Sequence, residues 1–183
     1  MNLLIDTHLN DIVIILTQDN IIIRQEKIEN EKQNSKFIMP TIKKILDGII
    51  PESIIVVNGP GSFTGVRLGV TIAKTFAHVL NIPIYTVTSL ECMAISIKDG
   101  DRIVGFSDNN GYYIGIFNED LELIGNYEYL TNNEFKEYNE NHNVVTNVVI
   151  DYVKVIEFAC SKKRLNPHEV IPIYIKKLVV EKW

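Results

Sequence analysis

Cysteine is nearly absent: two in 183 residues, Cys92 and Cys160, far apart and without C-x-x-C spacing. That leaves no disulfide framework or zinc knuckle to expect, and reduced thiols packed in a cytosolic protein are what the usage implies. The four histidines, His8, His78, His142 and His168, show no H-x-x-x-H or H-E-x-x-H pairing, so no metal centre is expected. A cationic surplus is lacking as well. With 18 Lys and Arg against 23 Asp and Glu, the formal net charge is -5, which disfavours a chain whose main task is gripping phosphates, so any RNA contact is expected to be indirect. Residues 1–6 have neither the basic region nor the apolar core of a signal peptide, and no apolar run is long enough for a membrane span. With only six prolines, 46% hydrophobic and 22% charged residues, the composition is that of a folded globular protein.

What is present is a β-rich opening. Residues 2–6, 11–18 and 21–26 read as three strands, with Gln18, Asp19 and Asn20 as the polar turn between the last two. Over 35–49, Ile38, Ile42, Ile45 and Ile49 recur at helical spacing, with Pro40 tolerable in a first turn and kinking any deeper one. The run 54–58, apolar through Val57, predicts a buried parallel strand, and a second helix follows from Phe63 to Leu80. Residues 83–87 read as the next strand, and Ser89 is placed to cap a short helix to Ile97.

The turn cluster 98–101 divides the chain into an expected first lobe, 1–100, and a smaller second, 101–183. In the second, strands are expected at 102–107, 112–117, 121–127, 144–150 and 171–175, a polar connection at 132–143 and a helix at 152–164. The order βββαβα followed by a restart with strands is that of an actin/hexokinase-type half.

The junction Gly59-Pro60-Gly61-Ser62-Phe63-Thr64-Gly65 looks like a phosphate cradle, because glycines before a helix expose backbone N–H groups. It fits neither known phosphate loop: the G-x-x-x-x-G-K spacing and its lysine are missing, and the third glycine of G-x-G-x-x-G comes one residue late. A tight turn with Ser62 or Thr64 capping the helix is the better reading. Behind it, Gly65, Gly69, Ala73 and Ala77 place a small residue at every fourth position. Two explanations stand side by side: close approach of a partner helix, or close packing on the chain's own sheet.

The segment 59–77, GPGSFTGVRLGVTIAKTFA, resembles the signature of the TsaB (YeaZ) family. Leu4-Ile5-Asp6-Thr7 is similar to that family's first strand, 34–40 to its first helix and 88–94 to the segment after its glycine-rich helix. In the second lobe the likeness thins to Asp108, Tyr112, Tyr113 and residues 172–176. Asn34 stands where the family commonly has His, Asn110 where Arg often sits and Lys176 where Arg is usual, and the second lobe is short.

The resemblance implies an α/β fold of the ASKHA (actin/hexokinase-like, RNase H-like) type. It also implies a non-catalytic dimerisation subunit of the machinery that places threonylcarbamoyladenosine on tRNA, paired with a TsaD-like catalytic subunit and reaching a TsaE-like ATPase through the complex. The contact carried over from the family uses the first two helices, with Ile38, Ile42, Ile45, Phe63, Gly65, Arg67, Gly69, Ala73, Phe76 and Ala77 as candidate interface residues. No cofactor is expected. A divergent ASKHA phosphotransferase and a stand-alone homodimer are the rival readings. Asp6 and Thr7 keep the acid of an ASKHA phosphate turn without its glycine, so they read as a vestigial nucleotide turn held by Asx-type hydrogen bonds. The runs 162–164 and 176–177 read as solvated basic surface.

Overall fold

The computed structural model describes residues 1–9, 11–29, 35–98 and 102–176. Five strands, β1 (Asn2–Asp6), β2 (Ile12–Gln18), β3 (Ile21–Ile28), β4 (Ser53–Val57) and β5 (Ile84–Val87), form one sheet in the order β3-β2-β1-β4-β5. β1, β2 and β3 run antiparallel, whereas β4 joins β1 and β5 joins β4 in parallel. This meander extended by parallel strands is the RNase H-like arrangement, and the fold is of the ASKHA type.

Helices α1 (Ser35–Leu46) and α2 (Phe63–Leu80) lie on one sheet face, where Ile38, Ile42, Ile45, Val66, Val70, Ala73 and Ala77 meet Leu3, Ile5, Ile14 and Val56. On the other face, Leu4, Ile15, Ile55 and Val57 pack against α3 (Ser89–Ser96) and α5 (Tyr152–Ser161). Burial on both faces explains the apolar stretches Leu3 to Ile5 of β1 and Ile54 to Val57 of β4, while the edge strand β3 alternates in burial. The second sheet, β6 (Arg102–Ser107), β7 (Gly111–Phe117) and β8 (Glu128–Thr131), is antiparallel in that order. Between the sheets sits α3, with Cys92 and Ile95 turned to the first and Leu90, Met93 and Ala94 to the second. With six of its eight residues buried, it is a core helix.

Pro40 lies well inside α1 rather than in its first turn. The strand expected at 121–127 is reduced to a single bridge between Phe117 and Leu123. Left-handed backbone at Leu121 and Gly125 interrupts extension, and pairing resumes only at β8. The polar connection expected at 132–143 is helix α4 (Asn132–His142). Its start is fixed by a capping box in which Thr131 and Glu134 satisfy each other's backbone N–H groups, and Phe135 stacks on Tyr112 at 3.6 Å. Residues 144–150 and 171–175 form no ladder; Val145 makes one parallel bridge to Val104. Asn34, residues 99–101 of the expected boundary and Lys177 lie outside the described residues.

Candidate functional site

The glycine-rich turn is filled by the chain itself. Gly59 has φ +104°, and a Cβ there would stand 2.7 Å from the carbonyl oxygen of Ile173, which arrives from the far end of the chain. A Cβ on Gly61 would collide with the backbone of His8, whose carbonyl accepts the Ser62 N–H at 2.7 Å. Ser89 closes the other side, donating its N–H to the Gly59 carbonyl at 3.0 Å and its hydroxyl to that of Pro60 at 2.7 Å. Asn58 donates to the Ile171 carbonyl at 3.1 Å and accepts the Ile173 N–H on its own carbonyl at 2.8 Å. The Ser62 hydroxyl caps α2 by accepting the Gly65 N–H at 3.3 Å. Where a phosphate loop leaves room for an anion, this turn holds two segments of its own backbone.

The small residues of α2 have the same origin. A Cβ on Gly65 would meet the Thr7 carbonyl, and one on Gly69 would meet Thr7 Oγ1, which donates to the Gly65 carbonyl at 2.7 Å. Ala73 and Ala77 are buried against the sheet. Of the two explanations for the four-residue repeat, close packing on the chain's own sheet and the Thr7 turn is the one realised.

Asp6 ends β1 with both carboxylate oxygens engaged. Oδ1 accepts from the His8 N–H at 3.2 Å and lies 2.6 Å from His8 Nδ1, while Oδ2 accepts from the Tyr152 hydroxyl at 2.8 Å. Burial alone would push this carboxyl up; the charge and hydrogen bonds of His8, aided by Tyr152, outweigh it and hold it below the usual carboxylate value. Burial and the neighbouring Asp6 push the Tyr152 phenol strongly up, so it stays a donor. The group reads as a structural tie between β1 and α5, in keeping with the hydrogen-bonded turn expected of Asp6 and Thr7. Across the molecule, Lys176 plays a similar part, 3.1 Å from Asp108 Oδ2 and over the Tyr129 ring at 4.8 Å. Among the described residues no group of three or more His, Cys, Asp or Glu side chains could hold a metal.

Outward, the helices carry large uncovered side chains. Phe37 and Met39 of α1 are 41% and 47% exposed, Phe63 and Val79 of α2 45% and 72%. The Arg67 guanidinium lies 4.3 Å from the Phe63 ring centre, and Tyr174 packs on the same ring at 5.3 Å.

Residues 20–106 match the family model described as TsaD, tRNA N6-adenosine threonylcarbamoyltransferase. The tRNA threonylcarbamoyladenosine biosynthesis protein TsaB of Bacillus subtilis is 36% identical over 123 residues, 63% of this chain and 54% of that protein. Sequence relates the chain to the TsaB family. Two solved structures from Pseudomonas aeruginosa show the same fold. One is described as similar to the peptidase YEAZ (TM-score 0.78, 15% identity, 96% of this chain and 99% of that one). The other is YeaZ itself (TM-score 0.76, 16% identity, 95% and 99%). The aligned stretch spans about half the length of the curated TsaB relative.

The helices α1 and α2 divide the candidate interface residues in two. Ile38, Ile42, Ile45, Gly69, Ala73 and Ala77 are buried in the chain's own core and offer no side chain to a partner, a correction to their expected role. Phe76 is half-buried and packs on the same core, and Gly65 is closed by Thr7. Phe63 and Arg67 do face outward. Regular apolar spacing marks what a helix buries in its own domain, and the stripe lies on that buried face. Phe37, Met39, Val79 and Tyr174, exposed large side chains out of phase with that stripe, were not singled out in the sequence.

Proposed function

We propose that the chain is a non-catalytic docking subunit of the machinery that installs threonylcarbamoyladenosine on tRNA, and that its partner is a TsaD-like catalytic subunit. The observation that carries this reading is the pairing of a closed glycine turn with uncovered apolar side chains on the helix it launches. Phe63, Arg67 and Tyr174 form the aromatic and arginine cluster typical of interface anchors. The match of residues 20–106, which include α1 and α2, to the TsaD model supports an association of two related folds through equivalent helices. A TsaE-like ATPase then joins through the complex, and the net charge of -5 leaves tRNA contact to other subunits. No described helix is long and apolar enough to cross a membrane, in line with a cytoplasmic assembly. We divide the chain near residue 100 into a docking lobe and a reduced second lobe, with α5 crossing back onto the first sheet.

The test is the solution mass of the purified chain with and without TsaD of the same organism. A one-to-one complex is expected, and any homodimer using the same helix faces should exchange for it. Met39→Glu and Phe63→Glu, at exposed positions, should leave the melting temperature unchanged and weaken the complex about 10- to 100-fold. Normal TsaD binding by both variants would remove these faces from the interface, and ATP turnover by the isolated chain would favour a phosphotransferase.

A further inference from the structure

The segment 170–176 forms no strand ladder, yet its side chains reach the cores beside both sheets. Val170 is buried with α1, α2 and the first sheet, and Ile175 packs against the core of the second. Tyr174 stands between them, half-exposed, with its ring 5.3 Å from that of Phe63, over which the Arg67 guanidinium also lies. Part of the exposed aromatic and arginine cluster on α2 is therefore delivered by the far end of the chain.

Without a ladder, the place of this strap depends on a few bonds at its two ends. On the side of the first sheet, Lys74 Nζ donates to the Val170 carbonyl at 2.8 Å, the Asn58 amide donates to the Ile171 carbonyl at 3.1 Å, and the Asn58 carbonyl accepts the Ile173 N–H at 2.8 Å. On the side of the second sheet, the Lys176 ammonium lies 3.1 Å from Asp108 Oδ2. That carboxylate is itself fixed, because Oδ1 accepts the Asn110 and Gly111 N–H groups at 2.8 and 3.0 Å and the Tyr129 hydroxyl at 2.6 Å. Tyr174 follows the last bond of the first set and precedes the ion pair, so the backbone that carries its ring is held from both sides. A ring ordered before contact gives up little freedom on binding, whereas one on a loose segment must first be immobilised.

We propose that Asp108 and Lys176 are positioning residues for partner docking: their tie holds the strap so that Tyr174 is presented, already ordered, beside Phe63. The inference rests on the docking role proposed above and adds that the second sheet tunes the affinity through the strap.

Titration calorimetry against TsaD of the same organism, with amide hydrogen exchange on the unbound full chain, tests it. Tyr174→Ala should weaken the complex at least about tenfold. Lys176→Met, which keeps an apolar stem and loses the charge, should weaken it about 3- to 10-fold and speed exchange of the Ile173 N–H, while Lys176→Arg should behave as the parent in both. An ion pair this exposed adds little to global stability, so the melting temperature should not move. The positioning role is overturned, and docking stands, if Phe63→Glu weakens the complex while Tyr174→Ala or Lys176→Met binds as the parent does. It is overturned equally if Lys176→Met weakens binding without faster exchange at Ile173, or if Lys176→Arg binds as poorly as Lys176→Met. Normal binding by Phe63→Glu and Tyr174→Ala together would overturn the docking face itself.

Discussion

Gly69→Ala should destabilise the protein, although helix propensity alone says the reverse. In a helix interior Ala is favoured over Gly by about 1 kcal/mol, and Gly69 lies inside α2. Its added methyl, however, would overlap Thr7 Oγ1, and moving that oxygen breaks the 2.7 Å bond to the Gly65 carbonyl. Losing that bond costs about 1 kcal/mol and the overpacking about 1–3 kcal/mol, which leaves a net destabilisation of about 1–3 kcal/mol. The next nearest atoms are Thr7 Cβ at 3.5 Å and Cγ2 at 3.7 Å, both ordinary contacts. Removing the hydroxyl therefore removes the conflict. In a Thr7→Ala background the same Gly69→Ala change should become stabilising, by up to about 1 kcal/mol, so the sign of its effect inverts. Urea unfolding of the four proteins at constant m-value measures the cycle, and the coupling should be about 1–4 kcal/mol. A coupling near zero, or a stabilised Gly69→Ala single variant, would refute the claim that this glycine exists to admit Thr7.

Two further outcomes follow from the buried polar groups. Tyr152→Phe removes a donor from the Asp6 carboxylate and should cost about 1.5–3 kcal/mol at neutral pH, read by urea unfolding. Because the folded-state Asp6 value is depressed, its stabilisation is present above the ordinary carboxylate value of 3.8 and lost as pH falls through the lower folded one. Tyr152→Phe raises that folded value, so acid unfolding should begin at higher pH than in the parent. Burial pushes the Cys92 thiol well up, and iodoacetamide should reach it only after unfolding; rapid native labelling at Cys92, followed by mass spectrometry, would contradict the packing.

Strands buried on both faces announced themselves in the sequence: Leu3 to Ile5 and Ile54 to Val57 are apolar because sheet and helices enclose them. α4 was illegible to apolar periodicity because none of its residues is buried. Its signal was the capping box Thr131-x-x-Glu134, a local feature independent of any core. The return of 165–173 to the glycine turn had no signal at all, since it depends on contacts such as Asn58 to Ile171 across more than a hundred residues. The glycine motif was legible as a turn but not as a filled one. Glycine states that something must come close; whether that is a phosphate or the chain's own His8 and Ile173 carbonyls is decided elsewhere in the fold.

The docking face of α2 can be read the same way once its buried side is known. Gly65, Gly69, Ala73 and Ala77 point to the sheet, so residues two positions before or after them lie about 200° (equivalently about 160°) around the helix, on the opposite side. Those are Phe63, Arg67, Thr71, Thr75 and Val79, and all five are exposed. Large apolar side chains stand at both ends of this second stripe and two threonines in its middle. The Thr75 hydroxyl is turned back onto the Thr71 carbonyl at 2.8 Å, which leaves its methyl for contact. Such a profile admits another helix closely at the centre and anchors it at the ends. Thr71→Trp should then weaken the TsaD complex at least as much as Phe63→Glu, while Thr71→Ala should leave it unchanged, with neither altering the melting temperature. Titration calorimetry against TsaD measures both. If Thr71→Trp bound as the parent does, a partner helix could not be crossing the middle of α2, and any docking would have to be confined to the Phe63, Arg67 and Tyr174 cluster at its N-terminal end.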